Sequence, residues 1–374
     1  MIIVVDKGFW ANDHGGAYDY FLYENFRNII SIYPEHDFVF LFDRPHDNFF
    51  LRGKNIKAVH VSPAARNPFW WKLWYDVRVP AVLKKYKADV FVGCDGICSL
   101  STRIPQCLLL HDLSFLRSSP FFKKTQAAFY KRSAQKFLNK AQSIGVSSSY
   151  SKEAVVQHFK VDADKINVIP CAAKEVLQQL TDEKKAGIKN KLTGGKEYFI
   201  NTAPLSSREN LINLLKAFSV FKKKQASNWK LVLTGKSTRS YKEFAASLQT
   251  YKYRDDVIIT NQLNDEELSG TLGSAYALVY PSFEKDFAGP VLEAMASRIP
   301  VITSADSSMQ ELAKDAALYC DPADHNAIAE QMLIMYKDEN LRGRLIEKGN
   351  VIAKQYDWHQ SSEMLWQTIL KAVG

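Results

Sequence analysis

The residues best placed for chemistry lie in the run YPSFEKDFAGPVLEAMA, positions 280–296. An apolar strand from Ala275 to Tyr280 enters a polar loop that contains Gly289 and Pro290. A helix is expected from about Pro290, with Glu293 in its first turn. A strand–loop–helix junction of this kind lies at the carboxyl edge of an α/β sheet, where ligands bind. The helix start presents backbone N–H groups and a positive dipole end, which suit a diphosphate. A carboxylate just inside it can accept the paired hydroxyls of a ribose. Locally, packing explains the same residues equally well: Pro290 as a first-position proline and Glu293 as a partner of the dipole.

Two other nucleotide signatures fail. No G-x-G-x-x-G follows the first strand. Gly235-Lys236-Ser237 resembles the end of a P-loop, but Lys230 stands where that motif requires its earlier glycine. The five cysteines (Cys94, Cys98, Cys107, Cys171, Cys320) show no metal-ligand spacing and fit a reduced, cytosolic setting. No metal site is expected.

At 374 residues the chain exceeds one core and suits two domains. Its 46% hydrophobic and 24% charged content is that of a soluble globular protein. Met1–Val5 is too short an apolar run for a signal peptide, and no run is long enough to span a membrane. The net charge of +9 invites an anionic partner. It concentrates on an expected helix from Phe121 to Lys140, where Lys123, Lys124, Lys131, Arg132, Lys136 and Lys140 alternate with aromatics. That helix fits either an anionic membrane surface or a solvated face with packed aromatics. No nucleic-acid-binding module is present.

The elements that must position these residues alternate strand and helix. Strands are expected at Ile2–Val5, Phe38–Phe42, Ile56–Val61, Ala88–Val92, Gln106–Leu110, Ser143–Val146 and Ile166–Ile169. Helices are expected over 17–33, 68–86 and 150–159, with Pro80 kinking or dividing the second. The aromatic run Trp70–Tyr75 reads as helix packing rather than a sugar platform. Residues 171–196 are polar and Lys-rich and read as an interdomain link. The pattern then restarts at Tyr198–Thr202 and continues through Ala277–Tyr280 to a helical C-terminus. Two Rossmann-like units in tandem follow.

Ordered blocks along nearly the whole chain resemble the retaining GT-B glycosyltransferases of family GT4, the glycosyl transferases group 1. They are HDLSFL at 111–116, VSSSYSK at 146–152, INVIP at 166–170, APLSSRENL at 203–211, the run at 280–296, and DAALYCDP at 315–322. The resemblance implies two Rossmann-like domains facing across a cleft. These are an acceptor domain (1–172) and a nucleotide-sugar domain (173–357), with a C-terminal helix (358–374) crossing back to the first. It implies transfer of a sugar, with retention and without a metal, from a UDP- or GDP-sugar to a hydroxyl of a glycan or lipid-linked glycan in surface polysaccharide synthesis. The setting implied is cytoplasmic, peripheral to the inner membrane face.

By position, the resemblance gives Arg208 the diphosphate and Glu293 the ribose. The backbone N–H groups of Phe287, Ala288 and Gly289 fall to the leaving diphosphate and the sugar. Gly15 and Gly16 allow close approach to phosphate, Gly235 joins the donor site, and His111 contacts the donor sugar with Asp112 orienting its loop. The strand end at 260–263 lines the base pocket. Two departures from the family pattern matter most, beside Asp286 and Ala203, which stand where the family places glycines. Lys285 stands where the family places an acid eight residues before Glu293, and Glu209 stands where it places a lysine after Arg208. One reading is a coupled exchange in which Lys285 takes over the phosphate and Glu209 balances it. Another is an unusual donor sugar. The alternative to an active enzyme is a catalytically weakened GT-B protein that binds a nucleotide sugar or a partner enzyme.

Overall fold

A computed structural model describes residues 1–6, 17–43, 53–64, 68–116, 124–206, 209–237 and 241–374. Two compact units emerge: Met1–Cys171 with Trp358–Gly374, and Ala172–Asp357.

The first unit runs β1 (Ile2–Asp6), α1 (Ala17–Ile32), β2 (Asp37–Phe42), β3 (Ile56–His60), α2 (Pro68–Leu73), α3 (Val79–Tyr86), β4 (Val90–Gly93), β5 (Gln106–Leu110), α4 (Lys124–Lys140), β6 (Ser143–Val146), α5 (Ser149–Phe159) and β7 (Ile166–Val168). Its strands form a parallel sheet in the order β3-β2-β1-β4-β5-β6-β7. Central strands such as Ile3-Val4-Val5 and Val90-Phe91-Val92 are apolar throughout and fully buried, because helices cover both faces of a parallel sheet.

The helix expected over 68–86 is divided. A π-helical turn, Trp74–Arg78, separates α2 from α3. Pro80, in the first turn of α3, has no N–H for the carbonyl of Asp76. Ser101 Oγ donates to that carbonyl instead, at 2.6 Å. Trp71, Trp74 and Tyr75 are buried in the core, as the packing reading requires.

The second unit runs α6 (Asp182–Thr193), β8 (Tyr198–Asn201), α7 (Leu211–Gln225), β9 (Lys230–Thr234), α8 (Tyr241–Gln249), β10 (Val257–Thr260), α9 (Asp265–Gly273), β11 (Ala277–Tyr280), α10 (Gly289–Ala296), β12 (Val301–Ser304), α11 (Ser308–Ala313), β13 (Ala317–Cys320), α12 (His325–Lys337) and α13 (Glu339–Ala353). Its parallel sheet has the order β10-β9-β8-β11-β12-β13. The stretch read as a bare link holds α6, which packs on α9. Thr181 caps its start through Lys184 N–H, and Gly194 ends it in the left-handed region.

The last helix, α14 (Trp358–Val373), belongs to the first unit. Its Trp366 stacks on Tyr33, just after α1, with centroids 4.4 Å apart. Ser143 Oγ of β6 donates to its Thr368 carbonyl at 2.7 Å.

Candidate active site

In the second unit, the carboxyl ends of β8, β11 and β12 and the starts of α10 and α11 converge on the loop 281–288. α10 starts at Gly289, one residue before the expected Pro290, with the N–H groups of Val291 and Leu292 both on the Ala288 carbonyl at 3.1 Å. Glu293 is therefore the fifth helical residue and lies in the second turn, not the first. It is buried, and that burial holds its carboxyl up at about 7, against a downward pull from Lys174 and a smaller upward push from Asp265. Lys174 itself pairs with Asp265 at 2.6 Å. A carboxylate kept out of water without a full counter-charge is poised to accept hydrogen bonds. A Cβ at Gly289 would lie 2.4 Å from the Phe287 ring, so a larger residue there would force that ring to move.

The two departures from the family pattern have separate partners. Glu209 is buried and accepts a hydrogen bond from Ser282 Oγ at 3.0 Å. Ser282 Oγ in turn accepts from the Glu284 N–H at 3.0 Å. The nearby Tyr280 phenol is raised well above its ordinary range by burial and then by the charges of Glu209 and Glu284. Lys285 is half-buried, with its Nζ 3.7 Å from Asp306 Oδ2, an exposed carboxylate on the next loop. The Lys285 carbonyl accepts from Ser308 N–H at 2.8 Å. Ser304 Oγ donates to the Ser282 carbonyl at 2.7 Å.

Asn210, given no role in the sequence reading, ties this site together. Its backbone is left-handed (φ +58°), and its Nδ2 donates to the carbonyls of Pro281 at 2.8 Å and Pro322 at 2.6 Å. One buried amide thus joins the start of α7 to the loops after β11 and β13. Its signal was the residue type, because asparagine tolerates the left-handed region better than most.

Gly235 closes β9, and a Cβ there would fall 2.1 Å from the Ala203 carbonyl oxygen. The glycine lets the loop after β8 lie against the strand end, where Leu205 N–H donates to the Lys236 carbonyl at 2.9 Å. Of the described buried atoms without a hydrogen-bond partner in the second unit, Asn201 Oδ1, Thr202 Oγ1, Thr260 Oγ1 and Ser308 Oγ stand at the carboxyl ends of strands or the helix start beyond one, while Ser227 Oγ and Ser274 Oγ lie away from that edge. Arg208, Gly15 and Gly16 lie outside the described residues.

In the first unit, His111 follows β5. It lines a small recess with Tyr18, Phe21, Gly145 and Ser147. Asp112 Oδ1 accepts from both the N–H, at 2.8 Å, and the hydroxyl of Ser114, which fits an orienting role for Asp112. On α4, Phe129 and Tyr130 pack against Trp71, and Phe137 is buried. Lys131, Arg132 and Lys136 are exposed. The aromatics of this helix therefore serve the core, and the remainder of Phe121–Lys123 lies outside the described residues. Among the described residues no three His, Cys, Asp or Glu side chains converge as metal ligands would, and no helix is long and apolar enough to cross a membrane.

Comparison with known proteins places this geometry in context. Residues 182–351 match the family described as Glycosyl transferases group 1, and residues 35–174 match Glycosyltransferase Family 4. O-antigen chain mannosyltransferase B of Escherichia coli is 24% identical over 290 residues, covering 77% of this chain and 76% of that protein. O-antigen chain mannosyltransferase RfbU of Salmonella typhimurium is 25% identical over 278 residues, covering 72% and 71%. Among solved structures, WaaG, a glycosyltransferase involved in lipopolysaccharide biosynthesis, aligns with a TM-score of 0.79 at 14% identity over 99% of both chains. Anabaena HepE in complex with UDP-glucose aligns with a TM-score of 0.78 at 15% identity, again over 99% of both. At such identities the likeness shows the fold alone, and that fold is GT-B.

Proposed function

We propose, from the premise that this chain belongs to the group 1, family 4 glycosyltransferases, that it moves a mannosyl residue from a nucleotide diphosphate sugar to a hydroxyl of a glycan or lipid-linked glycan in surface polysaccharide synthesis, with retention of configuration. The mannosyl choice follows the two O-antigen relatives. The observation that carries the reading is the buried Glu293 carboxyl one turn inside α10, at the carboxyl edge of the second unit's sheet. In this reading the second unit holds the nucleotide, Glu293 accepts the ribose hydroxyls, and the N–H groups of Phe287, Ala288 and Gly289 face the diphosphate. Arg208 grips the same group through its guanidinium fork. Fixed dipoles and cations then stabilise the departing charge in place of a metal.

Lys285 supplies the cation at the loop, and the leaving phosphate oxygen takes the acceptor proton on the same face. Gly15 and Gly16 approach the phosphates, Gly235 shapes the donor pocket, and His111 is assigned to the transferred sugar. The first unit receives the acceptor. Its exposed Lys131, Arg132 and Lys136 lie on the helix whose inner face packs on Trp71, next to the exposed Phe69 and Trp70, which supports peripheral attachment at an anionic cytoplasmic membrane face.

Thermal-shift screening with GDP-mannose, UDP-glucose, ADP-glucose and dTDP-glucose tests the donor assignment, because a ligand that binds the folded state alone raises its apparent stability. A rise with GDP-mannose that Glu293→Gln abolishes is expected. No rise with any of the four refutes the reading. Glu209 and Lys285 favour a second reading, a non-catalytic GT-B protein that binds a nucleotide sugar or a partner enzyme. Release of nucleotide from a donor that binds, in the absence of acceptor, excludes that binding-only reading.

A further inference from the structure

One ring contact in the first unit bears directly on His111. Tyr18, in the first turn of α1, stacks on the His111 imidazole with centroids 3.7 Å apart and planes 15° from parallel. Its hydroxyl donates to the Cys94 carbonyl, after β4, at 3.1 Å. Phe21, further along α1, stacks behind it at 5.6 Å. Burial, followed by the charges of Cys94, Asp95 and Asp19, raises the Tyr18 phenol well above its ordinary range, so it remains a donor at any working pH. The Tyr18 ring is thus held by its helix, by a strand-end carbonyl and by a second ring.

An imidazole on a flexible side chain loses much of its value as a ligand contact, because the ring can turn about two torsions. A flat neighbour at van der Waals distance removes most of that freedom. The plane of the ring is fixed, while both nitrogens point along the plane and away from the stack. A face contact therefore directs the ring's hydrogen bonds without competing for them. The same ring pair lines a small recess after β5, together with Gly145 and Ser147.

We propose that Tyr18 is a positioning residue for sugar transfer, holding the His111 imidazole plane so that a ring nitrogen meets the transferred sugar. This rests on the assignment of His111 made above. Tyr18→Leu removes the stack, Tyr18→Phe keeps the stack and loses the Cys94 hydrogen bond, and His111→Ala removes the group being positioned.

Steady-state kinetics use GDP-mannose, or whichever of the four screened nucleotide sugars the wild-type enzyme turns over. Tyr18→Leu is expected to lower kcat about tenfold with donor KM held within about twofold. Tyr18→Phe should restore kcat to within about twofold of wild type, and adding Tyr18→Leu to His111→Ala should cost nothing further. NMR of the His111 ring protons needs no substrate: their upfield ring-current shift should persist in Tyr18→Phe and vanish in Tyr18→Leu. Wild-type kcat in Tyr18→Leu, a loss that adds in full to that of His111→Ala, or unmoved ring resonances each overturn the inference. Wild-type turnover in His111→Ala instead sinks the assignment of His111, a separate and recognisable failure.

Discussion

Glu293 offers a prediction that can be worked through from its surroundings. Its carboxyl is moved from an ordinary 4.5 to about 7, chiefly by burial. The folded protein therefore holds a proton between those values that the unfolded chain has released. Stability from this group is full below pH 4.5 and is lost as pH rises towards 7, the reverse of a salt-bridged carboxylate. Each pH unit of separation corresponds to about 1.4 kcal/mol, so the ionised form costs the ligand-free protein on the order of 3 kcal/mol above pH 7. Glu293→Gln keeps the shape and abolishes this dependence. The amide carries its own burial cost of about 1–3 kcal/mol, so the slope with pH, rather than the stability at one pH, is the informative readout.

Donor binding should respond in the opposite sense. A carboxylate accepting ribose hydroxyls gives charge-assisted bonds, and losing them costs about 1.5–3 kcal/mol, or roughly 10–100-fold in affinity. Isothermal titration with GDP and with UDP at pH 6, 7 and 8 measures this directly. For the nucleotide that binds, wild-type affinity should fall several-fold, approaching tenfold, from pH 8 to pH 6, as Glu293 takes up its proton. Glu293→Gln should bind weakly and equally at all three. Equal affinity across the range in the wild type, with Glu293→Gln matching it, refutes the ribose assignment. Denaturant midpoints across the same range test the stability slope separately.

Three further outcomes follow from the same loops. Gly235→Ala drives a Cβ into the Ala203 carbonyl; a loss of about 1–3 kcal/mol in denaturant unfolding is expected, along with weaker nucleotide binding. Ser282→Ala strips the buried Glu209 of a donor, and a cost of about 1–3 kcal/mol should appear that Glu209→Gln in the same chain largely removes. The double exchange Lys285→Glu with Glu209→Lys should retain nucleotide affinity better than either single change if the two residues were exchanged as a pair; equal damage in all three, measured by the same titration, discards that idea.

Much of the fold was legible because its strands are continuous apolar runs. Ile2–Asp6, Gln106–Leu110 and Ala277–Tyr280 each announce a strand covered on both faces, and the alternation with helices gives parallel order. The helix α6 was missed for the opposite reason. DEKKAGIKNKLT has almost no apolar face, and its only signals were the cap at Thr181 and the glycines at 194 and 195. Pro80 announced a break, but the carbonyl within the π-helical turn that it leaves unpaired is met by Ser101, more than twenty residues away. The place of Glu293 in the second turn, the reach of Asn210 to Pro281 and Pro322, and the stack of Tyr18 on His111 are tertiary facts that no local pattern carries.

The departures at Glu209 and Lys285 take a different meaning once their partners are known. A glutamate in place of the family's lysine, beside the arginine proposed to grip the diphosphate, suggests charge reversal in the ligand site. Yet the Glu209 carboxylate is buried and engaged by Ser282, whose oxygen also receives the Glu284 N–H. In that place the carboxylate fixes the loop that leads to Phe287, Ala288 and Gly289. Lys285, on the same loop, pairs among the described residues with an exposed acid at 3.7 Å, and exposed pairs of that kind contribute about 0–1 kcal/mol. Its ammonium is therefore inexpensive to redirect towards an anion. In the proposed reading the two residues have separate functions, the acid shaping the loop and the cation available to the ligand. That division keeps a positive charge near α10 without requiring the two side chains to touch.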